Sequence, residues 1–258
     1  MLSIFCRLGY LSSGLISDWD RDDKLPVRVV PLSPNDGRGW CWGDEQGVTM
    51  TQFITDKVYN LTNKVANAIQ ADYPGKYAGI YSYSVYSDVP DIGNLPNVVS
   101  IIATAFDITV LTDLERAQGL KARGAIVGIH DYLEPWGWFS DVPSRGVTRV
   151  ELDQIKLYAA NDIEVYIGEG SDSWGVYGPL MYAASKLFWD PSQDYNVIFD
   201  DFFEKSFGPA KDAMKNYYER WFQGQEPNDR TLALAFKDLE EAERLAVGNT
   251  KILERVRF

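Results

Sequence analysis

Val27-Arg28-Val29-Val30-Pro31-Leu32-Ser33-Pro34-Asn35-Asp36-Gly37-Arg38-Gly39 is the stretch on which the fold turns. Its apolar first half has the length and β-branched content of a buried strand, and the Ser-Pro-Asn-Asp-Gly cluster stops that strand and opens a loop. A doubly wound nucleotide-binding sheet would carry a Gly-rich turn here. Asn35-Asp36-Gly37-Arg38-Gly39 lacks the GxGxxG spacing that brings a backbone against a pyrophosphate, so an open-sheet nucleotide enzyme is the weakest reading of the fold.

Outward from this stretch, short apolar runs alternate with helical patterns. A helix is predicted from about Val48 to Ala71, where Phe53, Ile54, Val58, Leu61, Val65 and Ile69 fall three or four apart and Thr49 with Gln52 makes a capping box. Asn60-Leu61-Thr62 is a glycosylation sequon by pattern, discounted because it lies within that helix. Pro74-Gly75 ends the helix, and strands follow at Tyr77–Tyr83 and Val98–Phe106. Next come a helix Asp113–Arg123, a strand Ala125–Tyr132 and a long loop with Trp136, Gly137, Trp138 and Pro143. Thr148 and Glu151 suggest a second capping box for a helix through Ala160, ahead of a strand Glu164–Gly168. The remainder reads as helices: Leu180–Trp189, Tyr195–Phe207, Pro209–Phe222, then a polar linker Gln223–Asp229, Thr231–Val247 and Lys251 onward.

Buried strands alternating with helices imply parallel pairing and right-handed crossovers. Polar and aromatic residues end nearly every strand, which is where a (β/α)8 barrel builds its active site. Five such strands are three short of closure. The expectation is therefore an α/β chain: the C-terminal part, about five β/α units, of a (β/α)8 TIM barrel over residues 1–222, followed by a helical C-terminal segment, 223–258, that looks cut in mid-element. An open sheet is the alternative.

Composition narrows the function classes. With 45% hydrophobic and 24% charged residues, the 258-residue chain matches a globular protein. A net charge of −12 without a Lys/Arg cluster argues against a nucleic-acid partner. No apolar run approaches the ~20 residues of a membrane span, and Met1–Ile16, broken by Arg7, Gly9 and Ser12–Gly14, makes a poor signal peptide. Cys6 and Cys41 cannot build a disulfide framework or a zinc site. One histidine excludes His-rich metal chemistry, and no metal or organic cofactor is expected. Eight Trp and 15 Tyr in an acidic chain suit a surface that stacks on sugars, although core packing uses the same residues.

Val30-Pro31-Leu32-Ser33-Pro34-Asn35-Asp36-Gly37 followed by Trp40-Cys41-Trp42 resembles the strand, Asp-Gly, Cys signature of a large uncharacterised bacterial family. Its members are glycoside-hydrolase-like TIM barrels that carry a domain of unknown function and are distantly similar to α-glucuronidase and β-hexosaminidase barrels. Tyr81-Ser82-Tyr83, His130-Asp131-Tyr132, Glu169, and the segment Lys186-Leu187-Phe188-Trp189-Asp190-Pro191 with Asp201-Phe202-Phe203 and Phe207-Gly208-Pro209-Ala210 also match, so the resemblance spans about residues 27–222. Such proteins often show a second cysteine close behind the first. Here Trp42-Gly43-Asp44-Glu45 stands in its place. The resemblance makes Val27 the start of about the fourth barrel strand and Glu164 of the eighth, which implies a truncated or split barrel completed by a missing N-terminal half or by a homo-oligomer. Secretion or a periplasmic location would require a signal upstream.

Glycoside hydrolysis uses two carboxyls, ~5–5.5 Å apart for retention and ~6.5–9.5 Å for inversion. The resemblance implies Asp36 as proton donor; its plainer reading is an Asn-Asp-Gly turn. Asp131, beside the only histidine, is a nucleophile, a base or a hydroxyl-orienting group, or else a loop cap next to a core His130. Glu169 lies between Gly168 and Gly170, a backbone that permits close ligand approach, or it stabilises its loop. Asp44 and Glu45 read as charges at a helix N-terminus. Trp40, Trp136, Trp138 and Trp174 fall in post-strand loops and suit a sugar cleft, or plug the barrel top. Tyr81 and Tyr83 share one side of their strand by period two. Trp189, Trp221, Phe202 and Phe203, on helical patterns, are assigned to the core. The resulting expectation is a carbohydrate-binding glycoside hydrolase, with a non-catalytic carbohydrate-binding or assembly module as its rival.

Overall fold

The computed structural model describes residues 28–36, 39–40, 47–133, 147–163, 165–170 and 174–257, with backbone alone at Val147, Thr148 and Trp174. Five strands, β1 Val29–Pro31, β2 Tyr77–Ser82, β3 Val98–Ala103, β4 Ile126–Tyr132 and β5 Val165–Glu169, form one sheet in the order β1-β2-β3-β4-β5. The β1–β2, β2–β3 and β3–β4 pairs are parallel, in register at Pro31↔Gly79, Tyr81↔Ile101 and Ala103↔His130. Strand order equal to chain order, with helices between, gives the expected coarse architecture: an α/β chain around a half-barrel sheet, consistent with part of a barrel. All six residues of β3 are buried, which is why it reads as a continuous apolar run rather than an alternation.

The chain divides into two compact units, residues 1–131 with 163–167, and residues 132–162 with 168–258. In the first, α1 (Met50–Asp72) packs on β2 and β3 through Ile54, Val58, Tyr59, Ala66 and Ile69. Thr49 caps α1 by accepting the Gln52 N–H at 3.1 Å. The return half of the expected capping box is missing because the Gln52 amide donates to Asp56 Oδ1 at 2.9 Å and to the Val89 carbonyl at 3.2 Å. A complete box appears instead on α2 (Asp113–Ala122), between Thr112 and Glu115. The sequon threonine Thr62 is buried and donates to the Val58 carbonyl at 2.9 Å, as a residue inside a helix does. β3 stops at Ala103, short of the predicted Phe106, whose φ of +63° lies outside extended backbone.

In the second unit, α3 (Val147–Ala160), α4 (Trp174–Trp189), α5 (Tyr195–Phe207), α6 (Lys211–Phe222), α7 (Asp229–Leu245) and α8 (Thr250–Arg257) pack around Leu152, Leu187, Phe199, Phe203, Tyr218 and Trp221. Residues 223–258 belong wholly to this unit. Because α3 already begins at Val147, Thr148 occupies its first turn and not the expected cap.

α4 starts six residues ahead of the predicted Leu180 and runs through Pro179. Proline removes the N–H that would bond the carbonyl four residues earlier. That carbonyl, of Gly175, accepts the Tyr218 hydroxyl instead. One assignment is corrected here: Trp189 is 89% exposed, whereas Trp221 and Phe203 are core and Phe202 is half-buried. The buried stripe of α4 runs Tyr177, Leu180, Ala184, Leu187, and Trp189, two residues past Leu187, falls on the opposite side of the helix.

Candidate functional site

The first unit gathers polar and aromatic side chains at the C-terminal ends of its strands. Successive strand residues point to opposite faces, so the registers sort them. Tyr81 pairs with Ile101, and His130 with Ala103 two residues on, so Tyr81 and His130 share a face. They meet there: the Tyr81 hydroxyl lies 3.2 Å from His130 Nδ1, with the rings edge-on at 5.4 Å and 80°. The Tyr81 N–H donates to Ser33 Oγ at 3.1 Å, which fastens the loop after β1 to the end of β2.

That loop carries Asp36. Its side chain is exposed and its charge acts on the Tyr83 phenol. Burial raises the Tyr83 phenol above its ordinary pKa, and the nearby Asp36 charge raises it further, so this phenol stays protonated. Tyr83 stands edge-on to Tyr86 at 6.2 Å, and Tyr86 packs against Trp40 at 5.5 Å. Burial foremost, then Asp36, also holds the Tyr86 phenol up. The backbone stays extended through Tyr83 at the end of β2.

Asp131 is placed differently. As the neighbour of His130 in β4 it points to the other face and is 8% exposed. Oδ1 accepts the Thr104 hydroxyl at 2.8 Å and Oδ2 accepts the Tyr166 hydroxyl. The sequence set His130 and Asp131 side by side, but the pleat separates them. Below these ends lies the fully buried Arg116. It donates to the Ala103 carbonyl at 3.0 Å, the Ser82 carbonyl at 3.4 Å, Asp107 Oδ2 at 2.7 Å and Asp113, joining the ends of β2 and β3 to the loop that follows β3.

Glu169 ends β5, within the second unit, and is exposed; its carbonyl accepts the Leu133 N–H at 3.2 Å. The flanking glycines answer to packing more than to ligand approach. A Cβ on Gly168 would sit 2.8 Å from Leu133 Cδ1, and one on Gly170 would sit 2.9 Å from Met181 Cε. Trp174 opens α4 and is not a loop residue as expected. Trp136 and Trp138 lie outside the described residues, as do Cys6, Cys41, Asp44 and Glu45.

Of the sequence-assigned residues, the structure thus brings together Asp36, Tyr83 and Trp40 through Tyr86, and Tyr81 with His130. Tyr86, Thr104, Tyr166 and Arg116 were missed. Tyr86 was signalled by the Tyr-Ser-Tyr-Ser-Val-Tyr run and Thr104 by its place directly after β3; nothing local marks Tyr166 or Arg116. Chemically, Asp36 is a carboxyl able to transfer a proton, the phenols and imidazole can bond hydroxyl groups, and the rings offer stacking faces. Among the described residues no group of three or more His, Cys, Asp or Glu side chains is arranged to hold a metal ion, and no helix is long and apolar enough to cross a membrane.

No curated protein and no solved structure matches the chain. A family model described as a domain of unknown function (DUF4838) matches residues 20–219. With that match extending over well more than half of its 258 residues, the chain belongs to the DUF4838 family.

Proposed function

We propose that this domain is a TIM-barrel-type carbohydrate-active protein that hydrolyses glycosides, with Asp36 as proton donor. The observation that carries the reading is the cluster at the strand ends, where a carboxylate, three phenols, an imidazole and an indole gather on the loops after β1 and β2 and the end of β4. Phenols and imidazole suit sugar hydroxyls, and Trp40 and Tyr86 suit the C–H face of a pyranose. Hydrolysis needs a second carboxyl. Asp131, in the same unit, is the candidate, and an Asp131→Asn variant tests it.

A second reading, a carbohydrate-binding module without turnover, draws support from Asp131: both of its oxygens already accept side-chain hydroxyls, and it is almost fully buried. One experiment separates the two. The protein is screened against aryl glycosides for release of the phenol, and against the same sugars for binding by titration calorimetry. If the enzyme reading holds, Asp36→Asn lowers turnover by at least about 100-fold, the usual scale of a lost proton-transfer group, and leaves the dissociation constant within about threefold. Binding without turnover by the wild type identifies the module. Turnover unchanged in Asp36→Asn removes Asp36 as the acid.

A further inference from the structure

Asn216, Glu219 and Arg220 on α6 and Gln223 at its C-cap stand at the i, i+3, i+4 and i+7 positions of one helix face. That face lines a cavity of about 230 Å³, completed by Gln225 from the turn beyond α6 and by Asp238 from α7. The turn is what returns Gln225 to the cavity. Gly224 takes a φ of +74°, its N–H donates to the Trp221 carbonyl at 2.8 Å, and the Gln225 N–H donates to the Arg220 carbonyl at 3.4 Å. All six lining residues belong to the second unit, and none to the strand-end cluster.

The charges of this lining are already matched within the protein. Arg149 on α3 donates to both Glu219 oxygens, at 3.0 and 3.1 Å, and Arg220 donates to Asp238. The groups left over are neutral: the carboxamides of Asn216, Gln223 and Gln225 make no side-chain hydrogen bond among the described residues. Arg220 Nε is buried and also lacks a partner, so Asp238 alone fixes the guanidinium. Lys211, Asp212 and Lys215, elsewhere on α6, carry full charges, and the two lysines pair with Glu204 and Asp200 of α5. The cavity thus collects carboxamides on a helix whose other outer positions are ionic.

A carboxamide offers two N–H donors and a carbonyl acceptor. Neighbouring hydroxyls, each both donor and acceptor, complement such groups, whereas an unmatched charge would select an ion. No aromatic or aliphatic side chain lines the cavity, so nothing in it recognises an apolar substituent. Its volume is below the about 300–1,000 Å³ of cavities that hold drug-sized ligands. It equals the liquid share of about eight waters, which suits one sugar ring and not a longer chain.

We propose that this cavity is a second sugar site, taking one neutral pyranose edge-on through adjacent hydroxyls held by Asn216, Gln223 and Gln225. With both carboxylates tied to guanidinium groups, it retains carbohydrate without cleaving it. The inference rests on this lining and is independent of the strand-end reading.

The test titrates the full chain with glucose, xylose and N-acetylglucosamine, and with glucuronate as a charged probe, followed by proton–nitrogen NMR. The side-chain amide signals of Asn216, Gln223 and Gln225, assigned through single alanine variants, are expected to shift saturably with at least one neutral sugar, and glucuronate to bind no more tightly than glucose. Asn216→Ala and Gln223→Ala alter exposed side chains and leave folding intact. Each lowers the affinity about 2–10-fold, the scale of one neutral hydrogen bond, and Asp36→Asn leaves it unchanged. His130, the only histidine, reports the strand-end cluster through its own ring signals. Shifts at His130 without shifts at the carboxamides overturn the second site and leave the strand-end reading standing; the reverse pattern supports the second site and counts against the strand-end reading. Undiminished affinity in the double variant Asn216→Ala, Gln223→Ala overturns the proposal. So does glucuronate binding more than about tenfold tighter than every neutral sugar, which would make the cavity an anion site on Arg220.

Discussion

Tyr59 reports on the interior of the first unit. It is fully buried on α1, its hydroxyl 2.6 Å from Ser100 Oγ in the middle of β3. Burial drives its phenol up to about 12, against smaller lowering effects from Ser100, Ser82 and Arg116. Below pH 10 both folded and unfolded chains keep this proton. Between pH 10 and 12 the unfolded phenol ionises while the folded one stays neutral, so stability is lost as pH rises, by roughly 1.4 kcal/mol per pH unit from this group. Other raised phenols, Tyr83 and Tyr217 among them, add to the alkaline loss, which makes Tyr59→Phe the comparison that isolates it. At neutral pH the variant should lose about 0.5–1.5 kcal/mol with the Ser100 hydrogen bond. In urea melts between pH 9.5 and 11.5 its stability should fall less steeply than wild type by close to one proton's worth. Parallel slopes would remove Tyr59 from the alkaline account. The pairing itself was not legible in the sequence, because Ser100 sits inside an apolar run and its partner lies 41 residues away. His130 and Asp131 were legible as strand-end residues, but their separation onto two faces depends on where the pleat begins.

Among the elements, β4 has its place in the sheet set by a missing side chain. A Cβ on Gly128 would lie 2.6 Å from Ile101 Cδ1 and 2.8 Å from Val165 Cβ. The first neighbour is the flexible end of a side chain and can turn aside. The second is the branch point of a β-branched residue and can move only with its backbone. Gly128→Ala should therefore cost about 1–3 kcal/mol, the scale of overpacking in a closed core, read as a lower urea midpoint. Adding Ile101→Val, which deletes the first clash and leaves the second, should return only part of it. Full recovery in the double variant would show that Val165 does not press on β4. Strand order and helix existence were legible because each apolar run keeps one period from end to end. Helix ends were less so. α4 passes Pro179 since Tyr218, on α6, supplies the hydroxyl for the stranded Gly175 carbonyl, a compensation that no local pattern contains. Trp189 misleads for a related reason: hydrophobicity marks a residue as suited to burial, but only the phase of the whole stripe decides which side it occupies.

For the whole molecule, the family match and the compact units do not end together. The match stops at residue 219, within α6, whereas the second unit runs on through α7 and α8. These helices close the core that α6 leaves open. Asp238 pairs with Arg220, Ala235 and Ala242 are buried, and Ile252 and Val256 are inserted from α8. Ile252 Cδ1 lies 3.1 Å from where a Cβ on Gly208 would stand, at the turn after α5, and Arg255 donates to the Ser206 carbonyl at 2.9 Å. A chain cut after Phe222 would expose fully buried Trp221 and Phe222 and forfeit the burial of Ile252 and Val256, worth roughly 1.5–3 kcal/mol for each aliphatic side chain. Against the 5–15 kcal/mol that typically holds a protein folded, such a loss is large. The expected result is that residues 1–222 are recovered insoluble, or soluble with slowed gel-filtration behaviour and rapid proteolysis beyond residue 132, while the full chain resists. In native-state hydrogen exchange on the full chain, α5 through α8 should open as one unit. If residues 1–222 instead melt cooperatively at the full-chain temperature, α7 and α8 are an appendage, and the core around Trp221 is complete without them.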